Sequence, residues 1–515
     1  MVRVAPRQTL VRTEQEPGHS KSALVPIRID ESGDRTLQQQ IYSSIRSSIV
    51  SGMISLDRRL PSTRALAANL GVSRTTVLRA FEFLKAAGYL DPRRGSGTFV
   101  ALDLPSKAPH GRGARAQAIG NHPQLSERGR ALAQALSADR RMPGAPRAFR
   151  LGTPAVDLFP MRLWSQIARD CIKSTTSTRL DYSGALGHTA LREAIAAQVR
   201  SRGTRCDPQQ VIIVAGAQRG LDLIFHLLLD PGDRVWMEDP CYPGARNAFI
   251  AANARVVSVP VDAEGMDVGR ATSSPDCASV RLAYVTPSHQ FPLGITMSLP
   301  RRKQLLTWAR RSHAWIVEDD YDCDFRYQAK PLPCLHALDP DGRVIYVGTF
   351  SKTIFPALRL GFLIAPTDLV SGIARARFAS DVHPPLFEQT VLAEFMTAGH
   401  YERHLRRMQA AYSERLDALQ RAIERSGAPL RVRPVHSGLH AVADLEGIDA
   451  ETLWRAAASH SIELMPLRAY FLDQGRAPNS LLLGFGSVSP SSIRAGASQL
   501  AAVIDTVRRE RKSKK

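Results

Sequence analysis

VGTFSKTIFPALRLG, residues 347–361, is the stretch on which the reading of this chain turns. An apolar run, Val344–Gly348, ends at Thr349, and Lys352 follows within one turn. A run this short and apolar reads as a strand buried on both faces. A lysine at the end of such a strand sheds enough water for its amine to become reactive. Further runs of the same kind, Val211–Ala215, Val235–Met237, Leu282–Thr286 and Trp315–Val317, alternate with longer amphipathic segments. Strands separated by helices predict an α/β fold with a largely parallel sheet. No repeat at a solenoid period is present.

The chain has 515 residues and is 44% hydrophobic, enough for a sizeable core and two to four domains. It contains no apolar stretch long enough to span a membrane, and its first twenty residues lack the apolar core of a signal peptide, so a soluble cytoplasmic protein is expected. Six scattered cysteines form no CxxC pair, which predicts reduced thiols and no metal site. The net charge of +20 is uneven, since residues 1–150 hold 24 Lys and Arg against 11 Asp and Glu. A basic excess concentrated in under a third of the chain points to a polyanion partner such as DNA, or to charged arms in solvent.

Residues 1–33 show no hydrophobic period and read as a flexible basic arm. From Thr36, Leu37, Ile41, Ile45 and Ile49 fall at helical spacing. A second helix is expected from Thr63 and a third from Arg74, with Gly71 in the turn and Ser73 as N-cap. Arg74, Thr75, Thr76 and Arg79 then project from the start of the third helix, the end that enters a major groove, and Arg64 opens the second. Arg93 and Arg94, with Gly95 and Gly97, form a compact basic wing suited to the DNA backbone. The string RLPSTRALAANLGVSRTTVLRAFEFLKAAGYLDPRRGSGTFV, residues 59–100, resembles the winged helix-turn-helix of GntR-type regulators almost end to end. The expected division is a DNA-binding domain over 34–101, a linker rich in Ala, Gly, Pro, Ser and Arg over 102–147, a large domain over 148–510 and a basic tail over 511–515.

From Phe149 onward the chain resembles fold-type I aminotransferases, which hold pyridoxal phosphate (PLP). That resemblance makes Lys352 the amine of the internal Schiff base, with Arg359 and Thr349 on the cofactor phosphate. In Ile316-Val317-Glu318-Asp319-Asp320-Tyr321-Asp322 a carboxylate must face the ring nitrogen to keep it protonated. Asp319 is the first choice, Asp320 the alternative, and Tyr321 is a donor to the ring hydroxyl. In Val214–Gly220 the backbone amides of Ala217 and Gln218, at a helix start, would receive the phosphate. The resemblance also puts Tyr242 over the pyridine ring.

Two departures bear on function. The asparagine that touches the ring hydroxyl in many relatives is replaced, in Thr286-Pro287-Ser288-His289-Gln290-Phe291, by Phe291, leaving His289 or Gln290 to substitute. Where aminotransferases carry an arginine that clamps the substrate carboxylate, this chain has Leu482, with Arg246 or Arg468 as stand-ins. Head, linker and body together resemble the MocR/GabR regulators. The resemblance implies a head-to-tail homodimer binding a double-stranded operator, with PLP, and in some members an amine or amino acid, as effector. A competent aminotransferase with a fused head and a repressor with an inert body are the competing readings.

Overall fold

A computed structural model describes residues 7–12, 24–29, 36–93, 96–102, 125–135, 144–275, 279–327, 332–460 and 462–513. The chain divides into two compact units, residues 1–123 and 124–515.

The first unit is built on α1 (Leu37–Val50), α2 (Thr63–Leu70) and α3 (Arg74–Ala86). Ile41, Ile45, Val77, Ala80 and Leu84 close its core. Each helix boundary has a local cause. The Ser62 hydroxyl accepts from the Ala65 amide at 3.2 Å, Gly71 turns left-handed at φ 67° to end α2, and the Ser73 hydroxyl accepts from the Thr76 amide at 3.1 Å. Two short strands follow, pairing Leu90 with Val100 and Arg93 with Gly97.

The arm expected to be flexible contains an antiparallel ladder, β1 (Arg7–Arg12) with β2 (Leu24–Ile29), and Ile27 is buried in the same core as Ile41 and Ile45. Two six-residue strands, one interrupted by Pro26, give too weak a period-2 signal to stand out in the sequence. The two wing strands are β3 (Leu90–Arg93) and β4 (Gly97–Val100).

The second unit carries an eight-stranded sheet of β5 (Val211–Val214), β6 (Arg234–Asp239), β7 (Arg255–Asp262), β8 (Gly265–Met266), β9 (Val280–Val285), β10 (Trp315–Asp319), β11 (Val344–Thr349) and β12 (Gly361–Ile364). Their spatial order is β5-β12-β11-β10-β9-β6-β7-β8. The central pairs are parallel, whereas β12 runs antiparallel to both neighbours. Helices cover both faces, which is why β5, most of β11 and the first three residues of β10 read as apolar runs. A smaller antiparallel sheet, β13 (Leu430–Val432), β14 (His440–Leu445), β15 (Met465–Pro466) and β16 (Ser480–Gly484), shares a second core with the helices His400–Ser426 and Pro490–Ser513.

Part of the expected linker belongs to this unit. The helix Glu127–Gln134 packs on the helix Pro243–Ala251, and Arg128 donates to the Ala251 carbonyl at 3.5 Å. Among the described residues, Cys171, Cys206, Cys241, Cys323 and Cys334 form no disulfide; Cys277 lies outside them. No described helix is long and apolar enough to cross a membrane, and no group of described side chains could hold a metal ion.

Candidate functional site: an arginine-bearing helix and a lysine-centred cavity

In the first unit the face predicted for DNA is open. Arg64, Ser73, Arg74, Thr75 and Arg79 are exposed, and Thr76 is half-buried. Ser73 is engaged as the cap of α3, its hydroxyl 2.8 Å from that of Thr76, so both orient the helix as well as face outward. On the wing, Gly97 takes φ 110°, and a Cβ there would fall 2.8 Å from Nε of Arg59. Arg93 does not stand free. Its guanidinium pairs with Asp57, donates to Asp91 at 3.3 Å and lies over the Phe99 ring at 4.4 Å, so it fastens the wing to its own unit. The predicted Arg94 and Gly95 lie outside the described residues.

In the second unit, the C-terminal ends of β5, β6, β9, β10 and β11 open onto a cavity of about 170 Å³. Eight of the nine residues predicted for a cofactor line it: Lys352, Asp319, Tyr321, Tyr242, Arg359, Thr349, Ala217 and Gln218. Lys352 Nζ donates to the Gly152 carbonyl at 2.7 Å. Asp319 ends β10; its Oδ2 accepts from the Tyr284 hydroxyl at 2.7 Å, and its buried Oδ1 has no hydrogen-bond partner. Burial pushes this carboxyl up to about 7, with Asp320 and Asp322 adding to the effect and Tyr284 and Lys352 opposing it. The pleat turns the next side chain away: Asp320 accepts from Tyr346 at 2.7 Å and does not line the cavity. Of the two aspartates, Asp319 is therefore the one that faces the cavity.

At the opposite end, Gly216 takes φ 86° and opens the helix Ala217–Leu228. A Cβ on Gly216 would fall 3.0 Å from the Arg359 guanidinium, which reaches the Ala215 carbonyl at 3.3 Å, so the turn, the helix start and the arginine form one cradle. From behind, Gly361 lets β12 approach so closely that a Cβ would sit 3.0 Å from the Ala217 amide nitrogen. Gln218 holds the Gly244 carbonyl at 2.8 Å, and the Thr349 hydroxyl accepts from the Ser351 amide at 3.2 Å.

His289 is a correction. It is not at the cavity wall but buried behind Tyr321, against Asp322, so it does not replace the missing asparagine by direct contact. Gln290 is also turned inward, donating to the Pro240 carbonyl at 2.8 Å. Phe291 itself faces the cavity, edge-on to Tyr242 with ring centres 5.7 Å apart. Sequence reasoning passed over Tyr284, Thr286, Asp322 and His440, which also line the cavity.

Leu482 on β16 is fully buried and packs with Val442 and Leu467, flanked by Leu151, Leu293, Tyr470 and Phe471. Neither proposed stand-in reaches the cavity: Arg246 does not line it, and Arg468 is exposed and acts on Asp449. The residues present fit pyridoxal phosphate. An amine, a partnerless buried carboxylate oxygen and a cationic cradle meet the aldehyde, ring nitrogen and phosphate of that group.

A winged helix-turn-helix unit and an aminotransferase-type unit with a furnished cofactor cavity define a regulator built on an enzyme fold. Residues 37–100 match the bacterial regulatory proteins of the gntR family, and residues 150–494 match aminotransferase class I and II. The chain is 38% identical over 479 residues to a probable rhizopine catabolism regulatory protein MocR of Rhizobium meliloti, covering 92% of this chain and 95% of that protein. It is 32% identical to the pyridoxine biosynthesis transcriptional regulator PdxR of Corynebacterium glutamicum, over 91% and 96% of the two chains. Among solved structures, LysN, the α-aminoadipate aminotransferase of Thermus thermophilus complexed with N-(5'-phosphopyridoxyl)-L-leucine, matches with a TM-score of 0.63 at 29% identity, over 70% of this chain and 92% of that one. The chain belongs to the MocR-type subfamily of GntR regulators.

Proposed function

We propose that the protein binds operator DNA through α3 and the wing, carries PLP on Lys352, and changes its DNA affinity when PLP itself or a primary amine other than an ordinary α-amino acid engages the body. The observation that carries this reading is Leu482, which stands at the sequence position of the aminotransferase clamp and is buried among apolar side chains, in a chain whose cavity is otherwise equipped for the cofactor. Leucine cannot supply the paired, charge-assisted bonds by which arginine holds a carboxylate.

PLP, when bound, supplies an electrophilic carbon and an electron sink for an incoming amine. The chain's own residues set the terms. Lys352 would give the attaching amine, and Asp319, whose carboxyl burial has raised, would be drawn back to its charged form by a protonated ring nitrogen. Arg359 and the amides of Ala217 and Gln218 would hold the phosphate, and Tyr242 would cover the ring. The name of the PdxR relative, which refers to pyridoxine biosynthesis, supports a B6 vitamer as effector. A homodimer offers two heads for paired half-sites, and the effector moves the equilibrium only if it binds its states unequally.

The test is a gel shift with DNA upstream of the protein's own gene, titrated first with PLP and then with amines. The affinity is expected to respond to PLP or to an amine lacking the α-carboxylate. A response confined to α-amino acids defeats the effector assignment. Multiple turnover on an amino-acid panel without DNA binding would favour the aminotransferase reading.

A further inference from the structure

Tyr321 lines the cavity, and its hydroxyl is held twice by one residue: it lies 3.0 Å from Nδ1 of His289 and donates to the His289 carbonyl, also at 3.0 Å. The same Nδ1 lies 2.8 Å from Oδ2 of Asp322. His289 and Asp322 are each 2% exposed. Two glycines keep this space for the imidazole. A Cβ on Gly438, at φ 82°, would fall 2.1 Å from Cε1 of His289, and one on Gly294 would fall 3.1 Å from Nε2.

One ring nitrogen cannot donate and accept at once. The Asp322 carboxylate can only accept, which assigns the proton to Nδ1, shared between Oδ2 of Asp322 and the phenol oxygen. The phenol proton is then left for the His289 carbonyl or for an acceptor arriving from the cavity.

We propose that His289 and Asp322 are a positioning pair for Tyr321, fixing its hydroxyl so that it donates to the ring hydroxyl oxygen of the cofactor on Lys352. They would thereby do through Tyr321 what an asparagine does directly in related aminotransferases, where this chain has Phe291. A hydrogen bond to that oxygen favours its anionic form, so the cofactor–lysine linkage gives up its proton at lower pH. The inference rests on PLP being carried by Lys352.

Other titratable groups line the same cavity, namely His440 from β14, kept neutral by burial, Asp319 at the end of β10, Tyr284 from β9, Tyr242, Arg359 and Lys352, while Glu238 and Asp320 act on Tyr321 from outside it. A midpoint measured in one variant alone would mix their effects, so the test is a double-mutant cycle. The visible absorption of the full-length, PLP-loaded protein is followed against pH in wild type, Tyr321→Phe, His289→Phe and the double variant.

Each single variant is expected to raise the midpoint by about one pH unit, a roughly tenfold change in proton affinity, with the double no further shifted than Tyr321→Phe alone. His289→Gln, which restores a side-chain donor, is expected to bring the midpoint part of the way back. If His289→Phe does not fold, His289→Leu is read by the same criterion. An unmoved midpoint in the folded His289 variant, or shifts that add in the double, overturns the pair. A wild-type protein with no visible band overturns the cofactor site, and the pair with it, whereas an unshifted band in the variant overturns the pair alone.

Discussion

On α3, Arg74 and Arg79 stand in solvent with no ion pair among the described residues, whereas Arg302, Arg377 and Arg415 of the second unit are 0%, 1% and 3% exposed. Arg302 donates to the carbonyls of Met297, Pro333 and Pro287 at 3.0, 3.2 and 2.8 Å and lies 3.8 Å from Glu318. Arg415 ties Gly486 to Asp157, and Arg377 ties Ile213 to Asp381. The same side chain is thus left to solvent on α3 of one unit and turned inward onto carbonyls and carboxylates in the other. A surplus of basic residues marks a binding face only where the guanidinium has no internal acceptors. Arg359 belongs to neither group, since it has one weak internal contact and an open cradle before it.

The largest effect is expected at the lysine that shares the cavity with Arg359. Lys352→Ala should abolish the visible absorption of the PLP-loaded protein, and an unchanged spectrum would sink the attachment site. Next, Arg302→Met leaves Glu318 and three carbonyls buried without their partner. It should lower the unfolding free energy by about 3–5 kcal/mol, read from the denaturant midpoint. Arg359→Ala removes one charge-assisted contact and should weaken PLP binding by about 1.5–3 kcal/mol without moving the melting temperature of the cofactor-free protein.

Arg74→Ala should weaken operator binding by about 1–3 kcal/mol and, if the contact is to a phosphate, lower the salt slope by about one, again with unchanged stability. A fall in stability there would place Arg74 among the inward-turned arginines. The smallest effect concerns a buried neutral group. Burial pushes His404 down to about 4, below its usual value near 6.5, so its contribution is complete above about pH 6.5 and is lost as pH falls toward 4. His404→Gln should flatten the acid limb of the melting profile between those values. Asp319 and Glu238, raised to about 7, act with the opposite sign, so the comparison must be made against wild type at each pH.

The elements of the fold that were legible in sequence owe it to burial on both faces. Residues 211–214, 315–317 and 344–348 are apolar runs because helices cover both sides of the sheet, and Gly71 and Ser73 announce their turn by chemistry specific to it. The cofactor residues were legible where a role requires a residue type at a strand end. What was not legible is orientation. Spacing places His289 next to the cavity, but only the packing of Gly438 and Asp322 turns it behind Tyr321. Tyr284 reads as one more core residue of β9 until its hydroxyl meets Asp319. Arg93 reads as a free wing cation until Asp57, thirty-six residues earlier, closes on it.

Asp319 and Asp320 sit side by side yet serve opposite faces of the sheet, one toward Lys352 and the other toward Tyr346. Gain or loss of a single codon within Trp315–Asp319 would exchange which carboxylate meets the cavity while leaving the composition almost untouched. Length is therefore as tightly constrained here as any side chain. Sequence drift in this lineage should substitute freely along the outer loops but be closed to insertions and deletions across these five residues.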